Sequence, residues 1–193
     1  ELAAASDATW FGSPPIRLPV RQVVTMFDEG ARFNPPRHLV MARLIMETIR
    51  TILPLSIFIS LLSLLLSVVG DLADLPHPGW AIAAAFLPLY LAFALGCGLS
   101  VVVLKWVVVG RYAPVTKPLW SFFVWRTELV TSTYENLAVN LLLEPLRGTV
   151  WLAVYFRLMG ANIGRRVYLD TTDLTEFDLV TIGDDAALND AAG

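Results

Sequence analysis

The sequence predicts a mainly α-helical membrane protein: a two-helix transmembrane hairpin with interfacial helices, followed by the first coils of a left-handed parallel β-helix built from hexapeptide repeats. Three observations carry that prediction. Residues 51–70 contain no charged side chain, residues 80–104 form a second apolar run, and from Gly160 onward glycine and branched residues recur in a six-residue phase. Composition agrees with a membrane protein. The 193 residues are 56% hydrophobic and 16% charged, with a mean hydropathy of +0.63, against about 25% charge in an ordinary soluble domain.

The formal net charge of -3 and a pI near 5.3 exclude a basic nucleic-acid binder, since no cluster of Lys and Arg is available to neutralise a run of phosphates. Cys97 is the single cysteine and lies inside an apolar run, so no internal disulfide is expected. No Cys or His cluster has metal-ligand spacing, and no metal or cofactor site is assigned within the chain. The opening residues ELAAASD lack a starting Met, a basic region and a following apolar core; they read as internal sequence and not as a signal peptide.

Residues 1–33 read as a linker leaving a preceding soluble domain. Within them WFGSPPIRLP (10–19) is extended and stiffened by proline, and a strap docked on the cytoplasmic face is the alternative. Residues 34–110 form the hairpin. Asn34 offers an N-cap side chain, followed by Pro35 and Pro36 in a first turn that needs no N–H. Leu39, Leu44, Ile45 and Ile49 then share an apolar face, with Arg43, Glu47 and Arg50 on another, as in a juxtamembrane helix among headgroups. Spans follow at 51–70 and 80–104, each long enough for a hydrocarbon core about 30 Å thick. Pro54 stands where the first helix enters that core, a position that invites a kink.

Arg32, Arg37, Arg43 and Arg50 precede the first span; Lys105, Arg111 and Lys117 follow the second; the short loop at 71–79 has no Lys or Arg. The positive-inside rule therefore puts both ends of this multi-pass chain in the cytoplasm. Ser56, Ser60, Ser63 and Ser67 form a polar stripe on the first span, and Ala84, Pro88, Ala92, Gly96 and Ser100 a small-residue seam on the second. They suit either packing against each other or neighbouring spans, a homo-oligomer included, or a polar path for a substrate. Neither span carries an internal carboxylate, Lys or Arg to mark an ion route.

Residues 111–159 read as interfacial or connecting helices, because Arg126, Glu128 and Glu135 interrupt the aromatic stretch and the apolar runs at 137–143 and 150–156 are too short to cross. The break falls at Glu144, Pro145, Leu146, Arg147 and Gly148; a re-entrant hairpin is the alternative. Residues 160–193 begin the hexapeptide domain. Ile163 and Leu169 are six apart, as are Ile182 and Leu188, with Gly164 and Gly183 behind the isoleucines. Such coils need about three stacked units for stability, so the domain is expected to continue beyond Gly193. Leu169 and Ile182 are thirteen apart where the phase asks for twelve, and Asp170, Asp173, Glu176 and Asp178 crowd that interruption. Asp173, Glu176 and Asp178 are the candidate substrate-binding residues, an acidic collar for a cationic amine; an ordinary solvated corner loop is the plain alternative.

Four stretches together point to a family. ENLAVNLLLEPLRGT (135–149), YFRLMGANIG (155–164), DLTEFDLVTIGD (173–184) and WFGSPPIRLP (10–19) resemble the carboxy-terminal transmembrane and tandem-domain region of the ε-poly-L-lysine synthetases and related nonribosomal peptide synthetases. That resemblance implies a bacterial cytoplasmic membrane protein whose upstream adenylation domain uses ATP and Mg and whose carrier domain presents an aminoacyl thioester on phosphopantetheine. Neither domain is in this chain. It further implies tandem acyltransferase-like β-helix domains that join the thioester to a free amine. The expected partners are the lipid bilayer, neighbouring transmembrane pairs and soluble domains of the same parent, and the carrier domain. The family's histidine-bearing stretch would follow Gly193. The histidines present, His38 before the first span and His77 in the outer loop, are poor candidates for a general base, and no catalytic residue is assigned.

The function expected of these residues is anchoring and positioning within a synthetase. Two other classes stay open: a membrane-tethered hexapeptide-repeat acyltransferase acting on sugars, and a non-enzymatic export or scaffold hairpin. The charge asymmetry also predicts topology. A cysteine in place of His77 is expected to react with a membrane-impermeant maleimide from outside intact cells; labelling only after lysis would reverse the orientation.

Overall fold

The first helix starts later than its prolines. In the computed structural model, which describes residues 10–11, 16–17 and 35–190, α1 runs Arg37–Ala73 with Pro36 at its N-cap. Both prolines therefore precede the first turn instead of occupying it, and Asn34, expected as the cap, lies outside the described residues. The Pro36 carbonyl still accepts from the Leu39 and Val40 N–H groups, so the turn is nucleated by backbone. The linker expected at 1–33 also lies outside the described residues, except for β1 (Trp10–Phe11) and β2 (Ile16–Arg17), an antiparallel pair.

α2 runs Pro78–Val108, with Pro78 at its first position. Both helices are long and apolar enough to cross a membrane. At about 1.5 Å per residue each is longer than a hydrocarbon core about 30 Å thick. The Ser56, Ser60 and Ser67 hydroxyls donate to carbonyls of their own helix. Of the seam on α2, Gly96 lies beside Leu61, and Phe58 meets Phe93 edge to face at 5.4 Å.

α3 (Phe122–Thr133) is capped by the Ser121 hydroxyl, which accepts from the Val124 N–H. It runs straight into a ten-residue π-helix, Tyr134–Leu143. There the Asn140 amide donates to the Glu135 carbonyl five residues back, at 3.0 Å. A 3₁₀ turn, Glu144–Leu146, ends this rod. Gly148 then turns the chain in the left-handed region (φ +70°), and α4 occupies Val150–Met159, so the break falls where Pro145 and Gly148 predict it. α3 is tied back to α1 by Arg43, which pairs with Glu128 and with Glu47 at 2.5 Å each, while Arg50 pairs with Glu47 at 2.7 Å. The charged face at the start of α1 thus has protein partners.

The closing segment holds four two-residue strands: β3 (Asn162–Ile163), β4 (Tyr168–Leu169), β5 (Thr181–Ile182) and β6 (Ala187–Leu188). β3 pairs β5 and β4 pairs β6, both parallel, with Ile163 opposite Ile182 and Leu169 opposite Leu188. Opposed positions are nineteen residues apart, one more than three hexapeptides, and the extra residue lies in the stretch around a 3₁₀ turn, Phe177–Leu179, entered through Glu176 at φ +43°. Beyond these short pairs no β-helix is formed among the described residues. Arg166 and Asp185 take positive φ at equivalent corners and pair through two contacts of 2.5 and 2.6 Å. That hydrogen bonding to Arg166 holds the Asp185 carboxyl below the ordinary carboxylate range. Gly164 is required here, because a Cβ would run into the backbone of Gly183 and Asp184 in the layer above.

One core joins these parts. Cys97 and Val101 of α2, Leu137 and Leu143 of the π-helix, Leu152, Phe156 and Met159 of α4, and Ile163, Leu169, Phe177 and Ile182 of the strand segment belong to a single buried cluster. Gly98 lets the helices close, since a Cβ there would collide with Leu142. The Tyr155 hydroxyl donates to the Gly98 carbonyl at 3.2 Å.

Candidate functional site

The end of α2 meets the strand segment at a buried charge. Lys105, in the last turn of α2, has no exposed surface. Its ammonium lies 2.6 Å from a carboxylate oxygen of Asp178, whose side chain is 11% exposed. The same oxygen accepts the Tyr112 backbone N–H at 3.0 Å. The ammonium approaches the carboxylate obliquely and has no aligned hydrogen bond, so attraction between the charges does most of the holding. It also lies 3.6 Å from the centre of the Trp106 ring and 5.6 Å from that of Tyr112, where a cation meets the negative faces of the π-systems. A cation at a helix C-terminus is favoured by the helix dipole as well.

Neighbouring contacts fix the same corner. The Trp106 indole donates to the Leu158 carbonyl at 2.8 Å, and the Arg126 guanidinium donates to the Val108 carbonyl at 3.2 Å. Gly160 ends α4 at φ +110°, and a Cβ at that position would collide with the Asp178 carboxylate. Glycine is therefore needed there twice, for its backbone and for its missing side chain. Burial, and then the charges of Glu176 and Asp178, push the Tyr112 phenol up to about 12.

The three acidic candidates are not presented alike. Asp178 points inward to Lys105. Asp173 and Glu176 are exposed; the Asp173 N–H donates to the Thr171 hydroxyl at 3.2 Å, and the Thr175 hydroxyl donates to Glu176 at 2.6 Å. Asp170 is also engaged, because Arg147 donates to its side chain at 3.2 Å and to its carbonyl at 2.6 Å while also meeting Asp190. His38 and His77 are exposed and stand at the starts of α1 and α2. Among the described residues no group of His, Cys, Asp or Glu is placed to hold a metal ion.

Lys105 was legible in the sequence only as a topological charge. Its signal is local: four apolar residues stand on each side of it within α2 and its C-cap, leaving the ammonium no short route to water. The π-helix had no signal beyond Asn136 and Asn140 in an apolar run.

The chain is 38% identical over 188 residues to the Delta-poly-L-ornithine synthetase of Acinetobacter baumannii (strain AB307-0294). The match takes in 96% of this chain and 14% of the synthetase, so these residues span a small part of that protein's length. No family model matches the chain, and no solved structure matches it.

Breaking a buried ion pair leaves an uncompensated charge in the core, which costs roughly 3–5 kcal/mol. Lys105→Met and Asp178→Leu are each expected to destabilise by about that amount, and the double substitution to recover most of the loss. Denaturant unfolding of all four proteins in a double-mutant cycle measures the coupling; additive losses would mean the pair does not hold the junction.

Proposed function

We propose that these residues are the membrane-anchoring and positioning unit of a nonribosomal poly-amino-acid synthetase. The similarity to the polyornithine synthetase, running through nearly the whole chain, carries the reading. In it the hairpin lies in a bacterial cytoplasmic membrane with both ends in the cytoplasm, within the carboxy-terminal region of a longer parent. The parallel pairs at a nineteen-residue repeat begin a left-handed β-helix of acyltransferase type, which continues past Gly193. The chemistry belongs to the parent: an amine attacks the carbonyl of a carrier-bound aminoacyl thioester, an amide bond forms, the C–S bond breaks, and the thiol of the phosphopantetheine arm leaves. ATP and Mg serve the adenylation domain elsewhere. What these residues supply is placement, since tethering both partners to one membrane raises their effective concentration.

The continuous core and the Lys105–Asp178 pair support this reading, because they tie the orientation of the strand segment to that of the hairpin. In the full-length parent, Lys105→Met is expected to lower polymer formation on the order of tenfold, with amino-acid-dependent pyrophosphate exchange unchanged. Full polymer formation by a membrane-inserted Lys105→Met protein would remove the positioning role. Loss of both activities would point to general misfolding, which the Lys105→Met/Asp178→Leu protein separates by regaining polymer formation.

Asp173 and Glu176, the two exposed members of the acidic group, recruit the basic acceptor in this reading. Replacing them with Asn and Gln is expected to raise KM for a cationic acceptor about threefold at low ionic strength, with kcat held and the effect erased by salt. Unaltered KM and product length would leave them an ordinary solvated loop.

A further inference from the structure

Apart from Arg157, α4 is apolar all round. Its inner face, with Leu152, Phe156 and Met159, is buried in the core, yet on its outer face Val150 is 71%, Trp151 63% and Leu158 47% exposed. The helix has one charge, Arg157, which is exposed in the last turn and whose guanidinium donates to the carbonyls of Ile163 and Gly164 at 3.0 and 2.6 Å. A helix whose exposed residues are otherwise all apolar is covered by protein or by lipid. Between α4 and α2 lies a groove of about 460 Å³, lined by Leu91, Leu95, Leu99, Leu142, Trp151 and Leu158 among others. The Tyr155 hydroxyl on its wall is already spent on the Gly98 carbonyl, so the groove offers a ligand almost nothing but hydrocarbon.

We infer that phospholipid acyl chains occupy this groove and that α4 lies within the leaflet facing the basic ends of the hairpin. The inference rests on the proposed spans: Leu91, Leu95 and Leu99 belong to the apolar run of α2, so a helix packed beside them sits at hydrocarbon depth. The exposed line continues along α2 through Val103 and Val107, 61% and 79% exposed, and joins the groove to the lipid-facing surface without a polar interruption. The wall chemistry selects the occupant. None of its residues is Gly, Ala, Ser or Thr, the types through which helices close on one another in lipid; the small residues Ala84 and Pro88 lie nearer the loop between the helices. Leu, Val and Trp walls suit flexible chains. Filled in this way, the groove holds α4, and through it β3 and β4, down on the membrane.

The test is bromolipid quenching of the full parent in phospholipid nanodiscs. The Trp151 signal is isolated as the difference between the parent and its Trp151→Phe variant, and the Trp80 signal by the same subtraction with Trp80→Phe. Trp80 opens the second span and reports insertion of the hairpin itself. Trp151 emission is expected to be quenched by chain-brominated lipid as strongly as Trp80 emission. Quenching of Trp80 without Trp151 overturns the inference and leaves the anchoring proposal standing; quenching of neither overturns both. A disulfide between copies at Val154→Cys, with Trp151 unquenched, would assign the groove to a second copy and also overturn it.

Discussion

A lysine ammonium with no exposed surface is the constraint around which the junction is built. Burying it costs several kcal/mol of lost hydration, and only a close anion makes the position tenable. Asp178 is that anion, at 2.6 Å, and much of the nearby architecture follows from putting it there. The 3₁₀ turn must reach α2, the chain after α2 must bring the Tyr112 N–H to the same oxygen, and α4 must end in a residue without a side chain, because Gly160 faces the carboxylate. Three elements distant in sequence are thereby held at one corner.

The second constraint is closeness. Gly98 admits Leu142 against α2, and Gly164 admits the layer of Gly183 and Asp184. The π-helix that bears Leu142 keeps Tyr134, Leu137, Ala138, Leu142 and Leu143 buried together. Its wider turn changes which residues share a face compared with a 3.6-residue period. Tyr134 donates to the Thr172 carbonyl at 2.6 Å, so the same segment contacts the hairpin and the strand segment. No break separates the packing of the two long helices from that of the strand segment; one apolar cluster runs through both.

Several features could be read directly. Two uncharged runs became two long helices, the break at Pro145 and Gly148 stands where those residues put it, and the six-residue phase marked the isoleucines and leucines that now face each other in parallel pairs. The thirteen-residue gap between Leu169 and Ile182 was legible too, though not its use. It reads as an interruption with acidic residues on it; in space the extra length carries Phe177 into the core and Asp178 to Lys105. The N-cap was misplaced because two consecutive prolines fit either side of a helix start, and here the backbone carbonyl of Pro36 serves in place of a side chain.

What the sequence by itself determined is the set of properties that hydrophobicity and local backbone chemistry impose: which segments avoid water, where helices stop, and which positions repeat. These depend on each residue and its near neighbours. Only the tertiary structure decided which charges are free and which are consumed. Asp173, Glu176 and Asp178 are chemically similar acids within six residues, yet two are exposed and one is mostly covered against a lysine 73 positions earlier. A charge's role is set by the distance to its counterion and by the water left around it, and both come from parts of the chain that meet only after folding.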